Sequence, residues 1–251
     1  MSIAGKHIVI SGGGSGVGAA MAEVFAKAGG KVSILGRRLE PLQEVAARTG
    51  ALPVVCDVTD AGAVKAALET ARETHGPVHV AVANAGAALS KPFAKMSAEE
   101  LNSALSVNVL GVFNLWQAAL PDMKAEGRGR MICVASTAGL KGYPYVAGYV
   151  AAKHAAVGLT KALALELAKT GVTVNALCPG FVETPLLERS IENIVSTTGM
   201  SEEDAAKALK KDNPQGRFVQ PEEVAEAALW LCSEGAGSVN GHTLTISGGE
   251  V

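Results

Sequence analysis

His7-Ile8-Val9-Ile10-Ser11-Gly12-Gly13-Gly14-Ser15-Gly16-Val17-Gly18-Ala19-Ala20 decides how this chain folds. Residues 8–10 are apolar between His7 and a closing serine, the pattern of a short strand covered on both faces. From Val17 to position 28 the apolar residues recur at helical spacing. Five glycines lie at the junction, so a buried strand turns tightly into a helix, the opening unit of a parallel α/β sheet. Glycine lets the backbone approach a ligand closely, and the helix start adds free N–H groups and a positive dipole end. The turn therefore suits a pyrophosphate, with Gly12, Gly14, Ser15, Gly16, Val17 and Gly18 as candidate contacts. Its spacing is G-x-x-x-G-x-G, which differs from the general G-x-G-x-x-G fingerprint. It lacks the Lys-Ser/Thr pair of a P-loop, and Val17 stands where a G-x-S-x-G nucleophile elbow needs glycine.

The same alternation continues outward. Strands are expected at 7–11, 31–35, 52–56, 78–83, 130–135, 172–177 and 243–246. Helices are expected at 17–28, 39–48, 61–74, 98–123, 147–170 and 222–232. Right-handed crossovers then give a seven-stranded, doubly wound parallel sheet between two helical layers. No repeat, linker or composition break divides the 251 residues, so 1–251 reads as one dinucleotide-binding catalytic domain. Segment 183–220 is too long for a connection, and Ser201-Glu202-Glu203-Asp204 opens a short helix within it. We read residues 184–217 as a substrate lid.

Apolar residues make up 48% of the chain and charged residues 18%, with a net charge of −2, a globular profile rather than a disordered one. No basic block is present, which argues against nucleic acid or an anionic membrane as partner. No apolar run reaches membrane-spanning length, and the N-terminus carries no signal or transit pattern, so a cytoplasmic location is expected. Cys56, Cys133, Cys178 and Cys232 lack C-x-x-C spacing and lie in apolar runs, as buried reduced thiols do. His7, His75, His79 and His242 show no ligand spacing, so no metal is expected.

The second strand ends at Gly36-Arg37-Arg38. A site for NAD places an acid near here to bind the ribose hydroxyls. This chain has two guanidinium groups instead, which match a 2′-phosphate by charge-assisted bidentate contact. The reading favours NADP(H), with NAD(H) the alternative.

Tyr149 and Lys153 are one helical turn apart, and Tyr149 stands 13 residues beyond Ser136. Positions i and i+4 share a helix face, so phenol and ammonium reach one point. The cation favours phenolate there and makes the phenol usable as acid or base. His154 turns about 100° away from that face, so a Ser-His pairing is not supported.

Gly12-x-x-x-Gly16-x-Gly18, Asn84-Ala85-Gly86, Asn108, Ser136, Tyr149-x-x-x-Lys153 and Pro179-Gly180-Phe181-Val182-Glu183-Thr184 follow one another in a way that resembles the short-chain dehydrogenase/reductase family over essentially the whole chain. The resemblance implies a Rossmann-type fold, a nicotinamide cofactor and a Ser-Tyr-Lys-Asn site. Tyr149 would be the general acid for ketone reduction or the base for alcohol oxidation. Ser136 would hold the substrate oxygen, Lys153 the Tyr149 proton balance and the nicotinamide ribose, and Asn108 a relay water. Asp57 and Val58 would meet the adenine, Asn84 would brace the central strands, and Ala85 and Gly86 would line the ribose. Pro179, Gly180, Val182 and Thr184 would hold the nicotinamide carboxamide. Ala83 and Ser11 depart from the family's common Asn and Thr, and the serine keeps the hydroxyl.

Residues 149–186 look most like the 3-oxoacyl and polyketide ketoreductase branch, which implies a thioester-linked ketone as substrate. Leu89, Phe93, Leu140, Tyr143, Tyr145, Leu186 and Leu187 on the expected pocket loops favour a hydrophobic body, and Lys91 and Lys141 are candidates to meet an anionic end. An NAD-dependent dehydrogenase of secondary alcohols or 3-hydroxyacyl-CoA is the alternative enzyme. A dinucleotide sensor without catalysis is the alternative of another class. The family likeness further implies a homotetramer built on the 108–123 and 147–170 helices and on the last strand with the C-terminus.

Overall fold

The computed structural model describes residues 2–251. Seven parallel strands form one sheet: β1 (His7–Ser11), β2 (Lys31–Gly36), β3 (Leu52–Val55), β4 (Val78–Ala83), β5 (Gly129–Val134), β6 (Val172–Pro179) and β7 (Thr243–Ile246). Their order across the sheet is β3-β2-β1-β4-β5-β6-β7. The order reverses at β1, and open α/β sheets bind ligands in the crevice beside such a reversal.

Strand alternation sends side chains to two cores. Ile8 and Ile10 pack with Met21 and Phe25 of α1 (Gly16–Lys27), Leu42 of α2 (Leu39–Thr49) and Leu231 of α9 (Pro221–Leu231). Val9, Met131 and Cys133 face the other way, against Leu68 of α3 (Ala61–His75), Leu115 and Trp116 of α5 (Gly111–Ala125) and Val157 of α6 (Ala147–Glu166). Three layers result, and fully burying a side chain such as Phe25 stabilises the fold by roughly 2–3 kcal/mol. All four cysteines are free and buried, and burial raises each thiol, Cys133 to about 11.

The helix starts are locally encoded. Asp60 accepts from the N–H groups of Gly62 and Ala63 at 2.8 and 3.0 Å and caps α3. Ser97 and Glu100 form a reciprocal capping box on α4 (Ala98–Leu105). Gln220 and Glu223 do the same for α9, with Pro221 in its first turn.

Two elements differ from the periodicity. The expected helix 98–123 is α4, a π-helical turn at Ser106–Leu110 and α5, joined end to end. This run, Ala98–Ala125, contains an 18-residue window of mean hydropathy 1.3, long and apolar enough to cross a membrane by length and composition, although the sequence shows no unbroken apolar stretch. Asn108 and Asn114 interrupt it and are buried in protein contacts. Segment 183–220 holds α7 (Pro185–Thr198) as well as the expected short helix, α8 (Glu202–Lys210). The segment is pinched at its base, where Val182 bridges Val219 and Glu183 N–H donates to Val219 O at 2.9 Å.

Candidate active site

Parallel strands bring their carboxyl ends to one edge. Ser11, Gly36, Ala83, Val134 and Pro179 end β1, β2, β4, β5 and β6 there. Asn84 ties two of these ends together: its Nδ2 donates to Ser11 O at 3.0 Å and Gly12 O at 3.1 Å. Ser11 Oγ accepts from the N–H groups of Asn84 and Ala85, each at 3.1 Å. The hydroxyl kept by serine at this position is therefore a working part of the junction.

The glycine turn fits a pyrophosphate-bearing group. Gly12 and Gly16 take left-handed backbone, φ 66° and 51°. A Cβ on Gly18 would intrude on Gly12 O, so the helix can approach the turn only without a side chain there. α1 has no acidic residue in its first turn and no side-chain cap on its first N–H groups, which leaves them free for an anion. Ser15 is exposed just ahead of α1, and Val17 is buried in its first turn.

A cleft of about 410 Å³ opens between Gly12, Arg37, Asp57, Val58 and Gly86. The N–H and hydroxyl of Thr59 both donate to Asp57 Oδ1, at 2.9 and 2.8 Å, and hold that carboxyl below its ordinary range, with a smaller contribution from Arg37. Arg37 and Arg38 are exposed, and Arg37 lines the cleft. Asn114 Nδ2 donates to Val58 O at 2.8 Å, buried, and fixes this wall from α5. Sequence reasoning did not single out Asn114; a polar residue on the buried face of an apolar helix was the available signal.

Lys153, Tyr149 and Asn108 come together between β5, the π turn and α6, with Ser136 at the end of β5. Ser136 leaves the end of β5, and its Oγ accepts from Ala138 N–H at 3.1 Å, so its own proton remains free to donate. Lys153 is 4% exposed. Its Nζ donates to Val134 O at 2.8 Å and stands 5.5 Å from the centre of the Tyr149 ring. Gly139, three residues after Ser136, packs on the Lys153 backbone, where a Cβ would lie 2.9 Å from Lys153 O. Asn108 sits in the π turn, which forms where Gly111 N–H reaches back to Ser106 O. Its Nδ2 donates to Ala87 O and Ala104 O at 2.9 and 3.0 Å, while its Oδ1 is buried without a partner. A Cβ on Gly86 would meet that Oδ1 at 2.8 Å and Lys153 Nζ at 3.5 Å, so both groups flank one point of backbone. An unpaired acceptor beside an ammonium is a place for a bound water.

Pro179 and Gly180 close β6, and Gly180 N–H donates to Ile246 O at 3.1 Å. Val182 and Thr184 stand at the root of α7, where Thr184 Oγ1 donates to Val182 O at 3.2 Å. The Thr184 methyl packs on the glycine turn, within 2.9 Å of where a Gly16 Cβ would be. His154 is exposed and donates from Nδ1 to Val150 O. The two lysines expected near an anionic substrate are paired within the chain, Lys91 with Glu100 at 2.6 Å and Lys141 with Glu250 at 2.8 Å. Among the described residues no group of three or more His, Cys, Asp or Glu side chains is placed to hold a metal ion.

A doubly wound sheet with a glycine-rich first turn, and a lysine buried against a tyrosine ring at its carboxyl edge, defines a dinucleotide-dependent oxidoreductase. The chain belongs to the short-chain dehydrogenase/reductase family: the family model described as enoyl-(acyl carrier protein) reductase matches residues 12–250. D-beta-hydroxybutyrate dehydrogenase of Rhizobium meliloti is 34% identical, over 97% of this chain and 98% of its own length. Among solved structures, a variant of actinorhodin polyketide ketoreductase with NADPH superposes with a TM-score of 0.94 at 36% identity, covering 98% of this chain and 97% of that one. The 3-ketoacyl-(acyl-carrier-protein) reductase from Brucella melitensis complexed with NADH gives a TM-score of 0.89 at 36% identity, covering 99% of both chains. The protein is an oxidoreductase of this family, acting between a ketone and its alcohol.

Proposed function

We propose that the chain reduces a 3-oxoacyl thioester, or a similarly hydrophobic ketone, with NADPH. The observation that carries this is the buried ammonium of Lys153, flanked by the Tyr149 ring and by the unpaired Oδ1 of Asn108. A charge is not kept in such a place without work to do. When bound, NADPH supplies the hydride. Gly12, Gly14, Ser15, Gly16, Val17 and Gly18 hold its pyrophosphate, Asp57 and Val58 its adenine, Ala85 and Gly86 its ribose. Gly180, Val182 and Thr184 orient the carboxamide. Ser136 donates to the carbonyl oxygen and stabilises the alkoxide as it develops. Tyr149 gives its proton to that oxygen, Lys153 favours the phenolate left behind, and a water on Asn108 Oδ1 returns a proton from solvent.

Arg37 and Arg38 support NADP(H): both are exposed, Arg37 lines the adenosine cleft near Asp57, and among the described residues neither forms an ion pair within 4 Å. Helices α7 and α8 act as the lid of a single catalytic domain, hinged where Val182 meets Val219. Leu101, Leu110 and Phe113 on α4–α5 and Leu165 on α6 are exposed apolar residues, which suits a homotetramer. Buried, unpaired thiols suit the cytoplasm.

Two measurements test the reading. Tyr149→Phe lowers kcat by about a thousandfold or more while NADPH still binds; undiminished turnover would sink the mechanism. Arg37→Ala raises the Kd for NADP about tenfold and leaves that for NAD within about twofold. If the unmodified protein prefers NAD in parallel titrations, the catabolic dehydrogenase becomes the better reading. If it binds cofactor but turns over no ketone or alcohol, a sensor does.

A further inference from the structure

The end of the chain returns to the site. After β7, Gly248 runs against Asn213 and Gly249 against Pro214, so the tail is clamped under the closing limb of segment 183–220. This brings Glu250 beside Gly180, where a Cβ would lie 3.0 Å from Glu250 Oε2. The Glu250 side chain is 2% exposed. A carboxylate so removed from water needs partners, and it has two. Lys141 Nζ lies 2.8 Å from Oε1, and Tyr143 donates its hydroxyl proton to the same oxygen. Thr137 Oγ1 is 2.6 Å from Tyr143 Oη. The tyrosine has one proton and gives it to Glu250, so Thr137 is the donor. A directed chain thus runs from Thr137 through Tyr143 to Glu250, and it starts on the residue that follows Ser136.

Nothing in the proposed reaction uses this cluster. Tyr143 is no second acid: burial first, and then the carboxylate beside it, push its phenol well above the ordinary range. Its ring stands edge-on to Phe181, centroids 6.2 Å apart, with Lys141 Nζ 4.9 Å from the ring centre. The cluster therefore joins the Ser136 loop to the Gly180–Phe181 turn through the C-terminal tail.

We infer that Glu250 is a positioning residue for the reaction: held by Lys141, it fixes Tyr143 and Thr137, and through them it sets the direction of Ser136. The inference rests on the proposed role of Ser136 at the carbonyl oxygen. Misplacing a group at a reacting centre by about 1 Å costs up to a hundredfold in rate.

The test compares Glu250→Ala, Glu250→Asp, Tyr143→Phe, the double variant Glu250→Ala/Tyr143→Phe and Tyr149→Phe, using NADPH with a panel of 3-oxoacyl thioesters and cyclic ketones. Glu250→Ala lowers kcat about tenfold or more while the KM for NADPH stays within about twofold. Glu250→Asp recovers part of the loss, Tyr143→Phe matches it, and the double variant is no worse than Glu250→Ala, since residues acting as one chain are not additive. Full kcat in Glu250→Ala and Tyr143→Phe would overturn the inference, and so would additive losses or an equal loss of NADPH binding. An inactive Tyr149→Phe beside a fully active Glu250→Ala removes this inference alone. An active Tyr149→Phe removes the catalytic reading beneath it.

Discussion

At Lys153 stability and activity pull apart. Its ammonium is almost wholly shielded, with Val134 O as its hydrogen-bond partner. Desolvating such a charge costs several kcal/mol, while orphaning the Val134 carbonyl costs about 1–3 kcal/mol. Lys153→Met thus melts within a few degrees of the parent or above it, and loses about a hundredfold or more in kcat. Thermal melts read beside initial rates check this; a large drop in Tm would make the lysine a structural residue. The pair Tyr149 and Lys153 was readable because one turn of helix carries both. Asn108 was readable only through the family likeness, since nothing local distinguishes it from Asn102 or Asn114. Glu250 was not readable at all. Its partner Tyr143 lies 107 residues away, and only the folded tail brings them together.

Among the elements, the π turn at Ser106–Leu110 shows what periodicity cannot register. Five residues are too few for a periodicity read over two or three turns to register, yet within them Asn108 is buried and its amide donates to Ala104 O. The strands and helices carrying the glycine turn fell within a residue or two of their expected bounds, because capping residues and continuous apolar runs are local signals. α7 escaped because its apolar content is low, as it buries only Leu187. α8 buries only Ala205. Elements with so little buried surface open at low cost. We expect the amides of 185–210 to exchange with deuterium faster than those of β1, β4 and β5, and NADPH to slow exchange at the root of α7. Hydrogen exchange followed by mass spectrometry reads both, and uniform protection across the chain would count against a lid.

Across the whole molecule, the sheet has a second end. His7 opens β1, His79 lies one residue into β4, and His75 closes α3, so three histidines gather away from the catalytic edge. Their spacing in sequence gave no hint of this. His7 bonds Gly76 O at 2.8 Å and Ser33 Oγ at 2.9 Å, and its N–H donates to His79 Nδ1. Burial lowers His7 to about 4, and it lowers His75 and His79 as well. A histidine lowered in the folded state takes up its proton more readily when unfolded. The protein therefore keeps full stability above pH 6.5 and loses it as pH falls towards 4, by on the order of 3 kcal/mol from His7. Stability from Glu223, lowered to about 2 chiefly by Arg217, is fully present above the ordinary carboxylate range and is lost only below it, so the window from 6.5 to 4.5 belongs to the histidines. His7→Asn flattens the fall of Tm across that window, and an unchanged slope would refute the assignment. Because the strands are parallel, acid tolerance and turnover are written at opposite rims of one sheet. A breeder of hardier variants can work on the histidine rim for sour media and leave the pace of the reaction alone.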